Sequence, residues 1–142
     1  MRDLRRSSFT EIFLLGLLTL PLINGQYETP NNQCGGRFRS VRGSINFTLN
    51  TETNPDPNAK KVCMWTIIPN PFQTHMKFMI NSTTNMSCPD TDSLGFTSFA
   101  ESSAEIQTHS TCSSGEIFIL NGSVILVSFI SKRPRDGSGF YL

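Results

Sequence analysis

Two carboxylates one residue apart follow the third cysteine of the chain, in the stretch Cys88-Pro-Asp-Thr-Asp-Ser-Leu94. Asp90 and Asp92 at this spacing serve one of three ends: they ligate a metal, they move protons as a catalytic pair, or they support a turn by bonding their own backbone. The third is the commonest use of aspartate beside proline. Proton chemistry has little else to work with. His75 and His109 are the two histidines, and neither a G-x-S-x-G nor an H-E-x-x-H pattern occurs, so no spacing nominates a nucleophile with its base. A serine hydrolase would have to bring histidine, serine and acid together through folding alone. Each histidine reads as a strand-end or loop residue, and no enzyme is expected.

A second charged group is Lys132-Arg133-Pro134-Arg135, three cations on an expected loop. Such runs are usually just solvated surface, but Lys132, Arg133 and Arg135 are the candidate contacts for an acidic protein or a glycosaminoglycan. Arg37, Arg39 and Arg42 extend that patch if the fold brings the two segments together. Four asparagines, Asn46, Asn81, Asn85 and Asn121, begin N-x-S/T sequons, which are N-glycosylation acceptors in a secreted chain. Asn81 and Asn85 are so close that two sugar chains there would crowd each other.

The compartment follows from the first residues. Arg2, Arg5 and Arg6 precede an apolar run from Ile12 to Ile23, and the small residue Gly25 comes just after it. This is the pattern of a secretory signal peptide, with cleavage expected after Gly25. The run of 12 residues is short of the about 20 that cross a bilayer, and Pro21 would break a buried helix. No second apolar run of membrane length follows. Removing residues 1–25 leaves 117 residues, enough for one domain that buries roughly two thirds of the surface its unfolded chain exposes. It also removes three of the 12 Lys and Arg and two of the 11 Asp and Glu, leaving nine of each. A formal charge of zero argues against a nucleic-acid partner.

Cys34, Cys63, Cys88 and Cys112 are four cysteines without a C-x-x-C pair, which in an oxidising compartment means disulfides rather than zinc. Three pairings are formally open. Sequential pairing, Cys34 with Cys63 and Cys88 with Cys112, closes the two shortest non-overlapping loops, each worth about 3 to 4 kcal/mol on a chain-entropy estimate.

The elements that position these residues are strands. Apolar residues alternate in three sets, Ile45, Phe47 and Leu49, then Cys63, Trp65 and Ile67, then Met76, Phe78 and Ile80, the period of half-buried strands. Turn clusters at Thr53 to Asn58 and Pro69 to Pro71 separate them. Residues 26–33 read as a flexible lead-in, Leu94 to Phe99 as a strand, and Glu101 to Ser114 as loops around a short pairing segment near Ile106. Glu116 to Leu120 and Ser123 to Ile130 flank Asn121-Gly122, which predicts an antiparallel hairpin through a type I′ turn. Val124 to Val127 is apolar on both faces, as a central strand is. Short strands, frequent turns and no long amphipathic helix predict an all-β sandwich.

Cys34-Gly-Gly36, Cys63-Met-Trp-Thr-Ile67, Cys88 with Asp92-x-Leu94, Phe129-x-Ser131 and Gly139-Phe140, in this order and spacing, resemble a CUB domain over residues 34–142. The resemblance implies a compact, jelly-roll-like antiparallel sandwich, the same sequential disulfides, and Trp65 in the core. It departs from the family in lacking tyrosine-proline pairs before Cys63, where Asn54-Pro-Asp-Pro57 stands, and in a last strand that is short at Leu142. Many such domains hold calcium through a glutamate before the third cysteine, an aspartate after it, and an aspartate after the Phe-x-Ser strand end. Asp92 matches the middle ligand only. Residues 81–87 contain no acid and Lys132 follows Ser131, so calcium, which needs six to eight oxygens and several carboxylates, is not expected and no other cofactor is implied. If the loops converge as in the family, the Lys132 ammonium pairs with Asp92 where the ion would sit.

The sequence thus reads as a secreted, disulfide-bonded, glycosylated, non-catalytic recognition domain whose partner is an extracellular protein, or else a glycan. An accessory domain of a larger secreted protease or receptor is the alternative, and a free-standing secreted enzyme the next.

Overall fold

Alternation along a strand gives it one wet and one dry face, and two such sheets close by placing their dry faces together. The computed structural model describes residues 26–28, 33–39, 42–50, 59–73, 75–101 and 105–142, so the signal segment and the cluster at Thr53 to Asn58 lie outside the described residues. The described residues form twelve strands in order: β1 (Gln26–Glu28), β2 (Gly36–Arg39), β3 (Arg42–Ser44), β4 (Asn46–Thr48), β5 (Lys61–Ile68), β6 (His75–Met79), β7 (Ser82–Thr84), β8 (Asp92–Phe99), β9 (Ile106–Thr111), β10 (Ile117–Asn121), β11 (Val124–Ser131) and β12 (Gly139–Tyr141). Among the described residues there is no helix, and none therefore long and apolar enough to cross a membrane.

One layer is a five-stranded sheet in the order β2-β5-β11-β8-β9, antiparallel except where β2 runs parallel to β5. The other consists of β4-β12-β7 and β10-β6. Ile80 N–H donates to Glu116 O at 2.9 Å and Asn81 N–H to Tyr141 O at 2.8 Å. These bonds carry the chain from β6 to β7 between its neighbours on both sides and join the two groups into one layer. All nine residues of the three alternating sets are buried, with Trp65 at 0% exposure.

Aromatic rings lock the layers together. Phe47 and Phe140 from the second layer meet Trp65 and Phe129 from the first, with centroids 5.3 Å apart for Phe47–Trp65, 5.2 Å for Phe47–Phe129 and 5.4 Å for Trp65–Phe140. A second group sets Phe78 and Phe118 against Phe96 at 5.2 and 4.7 Å. Edge-to-face and tilted rings at these distances add about 0.5 to 1.5 kcal/mol per pair beyond burial alone. Cys34–Cys63 ties the chain just before β2 into β5, and Cys88–Cys112 ties the turn before β8 to the end of β9, with Cα–Cα separations of 4.9 and 6.1 Å.

The structure differs from the sequence reading at three places. Gln26–Glu28, expected within a flexible lead-in, pairs in parallel with β3. The polar stretch after Glu101 contains a full edge strand, β9, paired with β8 over its whole length. Most instructive, the Asn121-Gly122 segment closes no hairpin: β10 pairs with β6, while β11 pairs with β5 and β8. A strand apolar on both faces needs a neighbour on each side, and β11 takes the middle of the larger sheet, leaving β10 to the other layer. Gly122 is there for room rather than for a left-handed backbone. A Cβ on it would lie 2.8 Å from the Phe99 carbonyl oxygen and 3.1 Å from the Ser98 Cβ. Gly122→Ala is expected to lower stability by about 1–3 kcal/mol through overpacking, read as a shifted midpoint in denaturant unfolding; an unchanged midpoint would mean the crossing is not tight.

Candidate functional site

The register places Asp92 and the start of the basic loop at one end of the sandwich. Asp92 lies opposite Ser131, and Ser131 opposite Lys61. The turn before β8, the loop after β11 and the start of β5 therefore arrive side by side. Ser87 O accepts from Thr91 N–H at 3.0 Å and Asp92 N–H at 3.1 Å. In return, Asp92 Oδ2 accepts the Ser87 N–H at 2.8 Å. The turn is closed reciprocally, and Asp92, only 1% exposed, is the residue that closes it.

This geometry corrects the expected ion pair. Lys132 directs its ammonium to the Asp90 main-chain oxygen at 3.4 Å, and Lys132 stays exposed above the buried Asp92. Following Asp92 inward would cost the ammonium its hydration, which a single carboxylate does not reliably offset. Asp92 Oδ1 and Ser131 Oγ are buried without a protein hydrogen bond, so the spot is oxygen-bearing. It still does not suit calcium. One carboxylate and one hydroxyl fall short of the charge and oxygen count that ion requires, and the neighbouring Asp90 carbonyl already receives a cation. Among the described residues no three His, Cys, Asp or Glu side chains gather to hold a metal.

The basic loop is held by its backbone. Lys132 N–H donates to Thr91 O at 2.7 Å, Gly137 N–H to Leu49 O at 3.0 Å, and Leu49 N–H to Ser138 O at 2.7 Å, while Ser138 Oγ donates to Asn85 O at 2.9 Å. Between these anchors Lys132, Arg133 and Arg135 are exposed. Two further cations join them that the sequence reading missed. Lys61 faces Ser131 across the ladder and Lys60 precedes it, exposed. Arg37 and Arg39 do not join: they stand level with Thr66 and Ile68, five and seven residues or about 17 and 23 Å along β5 from Lys61. Only strand register separates these two cases, since both are lone basic pairs or triplets in sequence.

His109 was also misread as a loop or strand-end residue. It lies inside β9, and its ring packs 4.0 Å from Phe118 while Nε2 meets Glu116 Oε1 at 2.8 Å. The Thr111 hydroxyl donates to Glu116 Oε2. That hydroxyl, and then His109, hold the Glu116 carboxyl below its ordinary range against the opposing effect of burial. Both carboxylate oxygens are occupied, and the cluster clasps β9 to the start of β10. His75 is exposed at the start of β6.

All four sequon asparagines are exposed and belong to the second layer or its loops: Asn46 on β4, Asn121 on β10, Asn81 and Asn85 on either side of β7. No family model matches the chain, and no curated protein matches it.

Asp92→Ala is expected to cost about 1–3 kcal/mol, because the Ser87 N–H loses its acceptor. The loss should be the same with calcium or with chelator; a melting shift of the parent domain on adding calcium, abolished in this variant, would contradict the assignment. Glu116 has its folded pKa lowered, so its stabilisation is fully present above the ordinary glutamate pKa and is lost as pH falls through the folded value. Acid titration of the melting temperature should therefore be less steep in Glu116→Gln between the ordinary glutamate pKa and the lower folded value, and equal slopes there would remove the clasp from the acid response.

Proposed function

We propose that this protein is a secreted, non-catalytic recognition domain of the CUB type that binds an acidic extracellular protein through Lys60, Lys61, Lys132, Arg133 and Arg135. The observation that carries the proposal is their convergence at one end of the sandwich, Lys60 and Lys61 at the start of β5 and the other three on a loop anchored chiefly by main-chain bonds. Loops held by a rigid scaffold are where binding groups concentrate, and like charges gathered on one surface steer an oppositely charged partner and raise its association rate. The order of Cys34-Gly-Gly36, Trp65, Asp92-x-Leu94 and the Phe129-x-Ser131 strand end supports the CUB reading. The two disulfides and the apolar N-terminal run support secretion, and the exposed positions of Asn46, Asn81, Asn85 and Asn121 support glycosylation. The domain works on its own or as an accessory unit of a larger secreted protease or receptor.

A second reading rests on one feature of the same patch. Arg133 and Arg135 follow Lys132 along an exposed strip, and bidentate guanidinium groups suit sulfate as well as carboxylate, which makes a glycosaminoglycan the competing ligand. Arg133→Glu combined with Arg135→Glu should weaken capture of the acidic partner from extracellular fluid by about tenfold or more, equivalent to roughly 1.4 kcal/mol, while leaving the melting temperature unchanged. Retention on heparin beyond moderate salt would transfer the patch to sulfated glycans. Equal capture by the parent and the double variant would remove it from recognition altogether.

A further inference from the structure

The outward face of the five-stranded sheet carries no charge on four of its strands. At every outward position of β5, β8, β9 and β11 the side chain is aliphatic, aromatic, hydroxylic or glycine. Val62, Met64, Phe99 and Ile106 on it are 46, 51, 37 and 58% exposed. Exposed apolar side chains gathered on one uncharged face mark contact surfaces. Asn46, Asn81 and Asn85 belong to the other layer, so sugars at these three leave it bare, whereas Asn121 shares a cleft with Ile68 and Glu105 at one end of it.

We infer that this face binds a second copy of the same chain, sheet against sheet, about a two-fold axis running along β11. Three observations select a copy over another partner. First, β11 is the middle strand of the sheet, so rotation about it superposes the uncharged field on itself, with Leu126 on the axis. Second, the edges are complementary in sign. Exposed Arg37 and Arg39 are on β2, the strand at one edge, while exposed Glu101 and Glu105 flank the Phe99 and Ile106 ends of β8 and β9 at the other. The register puts Arg39, Ile68, Phe99 and Ile106 at the same end of the sheet. The rotation carries Arg39 of one copy over the Glu105 corner of its partner. Third, the area suffices: five strands at about 4.8 Å spacing and seven residues at about 3.3 Å give roughly 550 Å² per copy. Two copies bury about 1,100 Å², above the about 1,000 Å² a specific interface should clear. Aligned packing of two twisted sheets is an established way to bury such faces. The basic loop follows β11 at the end of the sheet opposite Arg39 and Ile106.

Sedimentation velocity of the secreted, glycosylated chain over a concentration series tests the inference. A monomer–dimer equilibrium is expected, weakened at least tenfold by Leu126→Arg, which sets two cations against each other on the axis. Met64→Arg is the parallel variant should Leu126→Arg fail to fold. Arg39→Glu alone should weaken the dimer, and Arg39→Glu with Glu105→Arg should restore it. Arg133→Glu with Arg135→Glu should leave it unchanged, which separates this face from the ligand-binding loop. A chain monomeric up to its solubility limit overturns the inference, whatever other molecule the face takes up. So does a dimer that survives both arginine substitutions, or one that the charge swap fails to restore.

Discussion

The contact on which the rest of this molecule depends is the aromatic seam between its two layers. Trp65 and Phe129 come from the larger sheet and Phe47 and Phe140 from the smaller, and the rings meet at 5.2 to 6.2 Å. A parallel arrangement of Phe78, Phe96 and Phe118 repeats the device nearer β9 and β10. Each ring sits on a strand whose neighbouring positions point outward, so shifting any of these strands by one residue would move its rings into water. The seam thereby fixes register, and register decides which loop residues become neighbours. Asp92 beside Ser131, and Ser131 beside Lys61, are consequences of where Phe96, Phe129 and Trp65 must lie.

What was legible in the sequence was what local pattern alone determines. Alternation identified the inward faces of β4, β5 and β6, cysteine spacing suggested the pairing that forms, and the doubly apolar stretch from Val124 to Val127 identified a central strand. What was not legible required knowing which strands are neighbours. Asn121-Gly122 has the composition of a hairpin turn, but tertiary demand won: β11 had to be flanked by β5 and β8, and the chain crosses between layers instead. His109 gave no signal, because its partner Glu116 lies across a turn and Phe118 in the opposite layer. Lys60 and Lys61 gave none either, since their relation to Lys132 exists only through the ladder between β5 and β11.

The fate of Asp92 illustrates how a residue type can be right and its role wrong. Aspartate after a cysteine and a proline suits an ion, an acid or a turn, and burial with a main-chain donor selects the turn. Once Asp92 accepts the Ser87 N–H, the cysteine held between them is presented toward β9, where Cys112 completes the bridge. The nearby hydroxyls of Thr83 and Ser114 continue that network: Thr83 N–H donates to Ser114 Oγ at 2.9 Å, and Thr83 Oγ1 to Cys112 O at 3.2 Å. One end of the sandwich is thus stiffened by polar bonds where the hydrophobic seam no longer reaches.

The loop from Lys132 to Gly137 hangs from that stiffened end by amide and carbonyl groups, which every residue type except proline supplies in full. The main-chain bonds at Lys132 and Gly137 fix its two ends whatever side chains stand at 133 and 135. A segment built in this way can change its surface chemistry by substitution while the sandwich beneath it keeps its geometry. The same framework can then be turned toward a different ligand through a few positions, with Pro134 and the glycine at 137 as the residues most bound to the path itself.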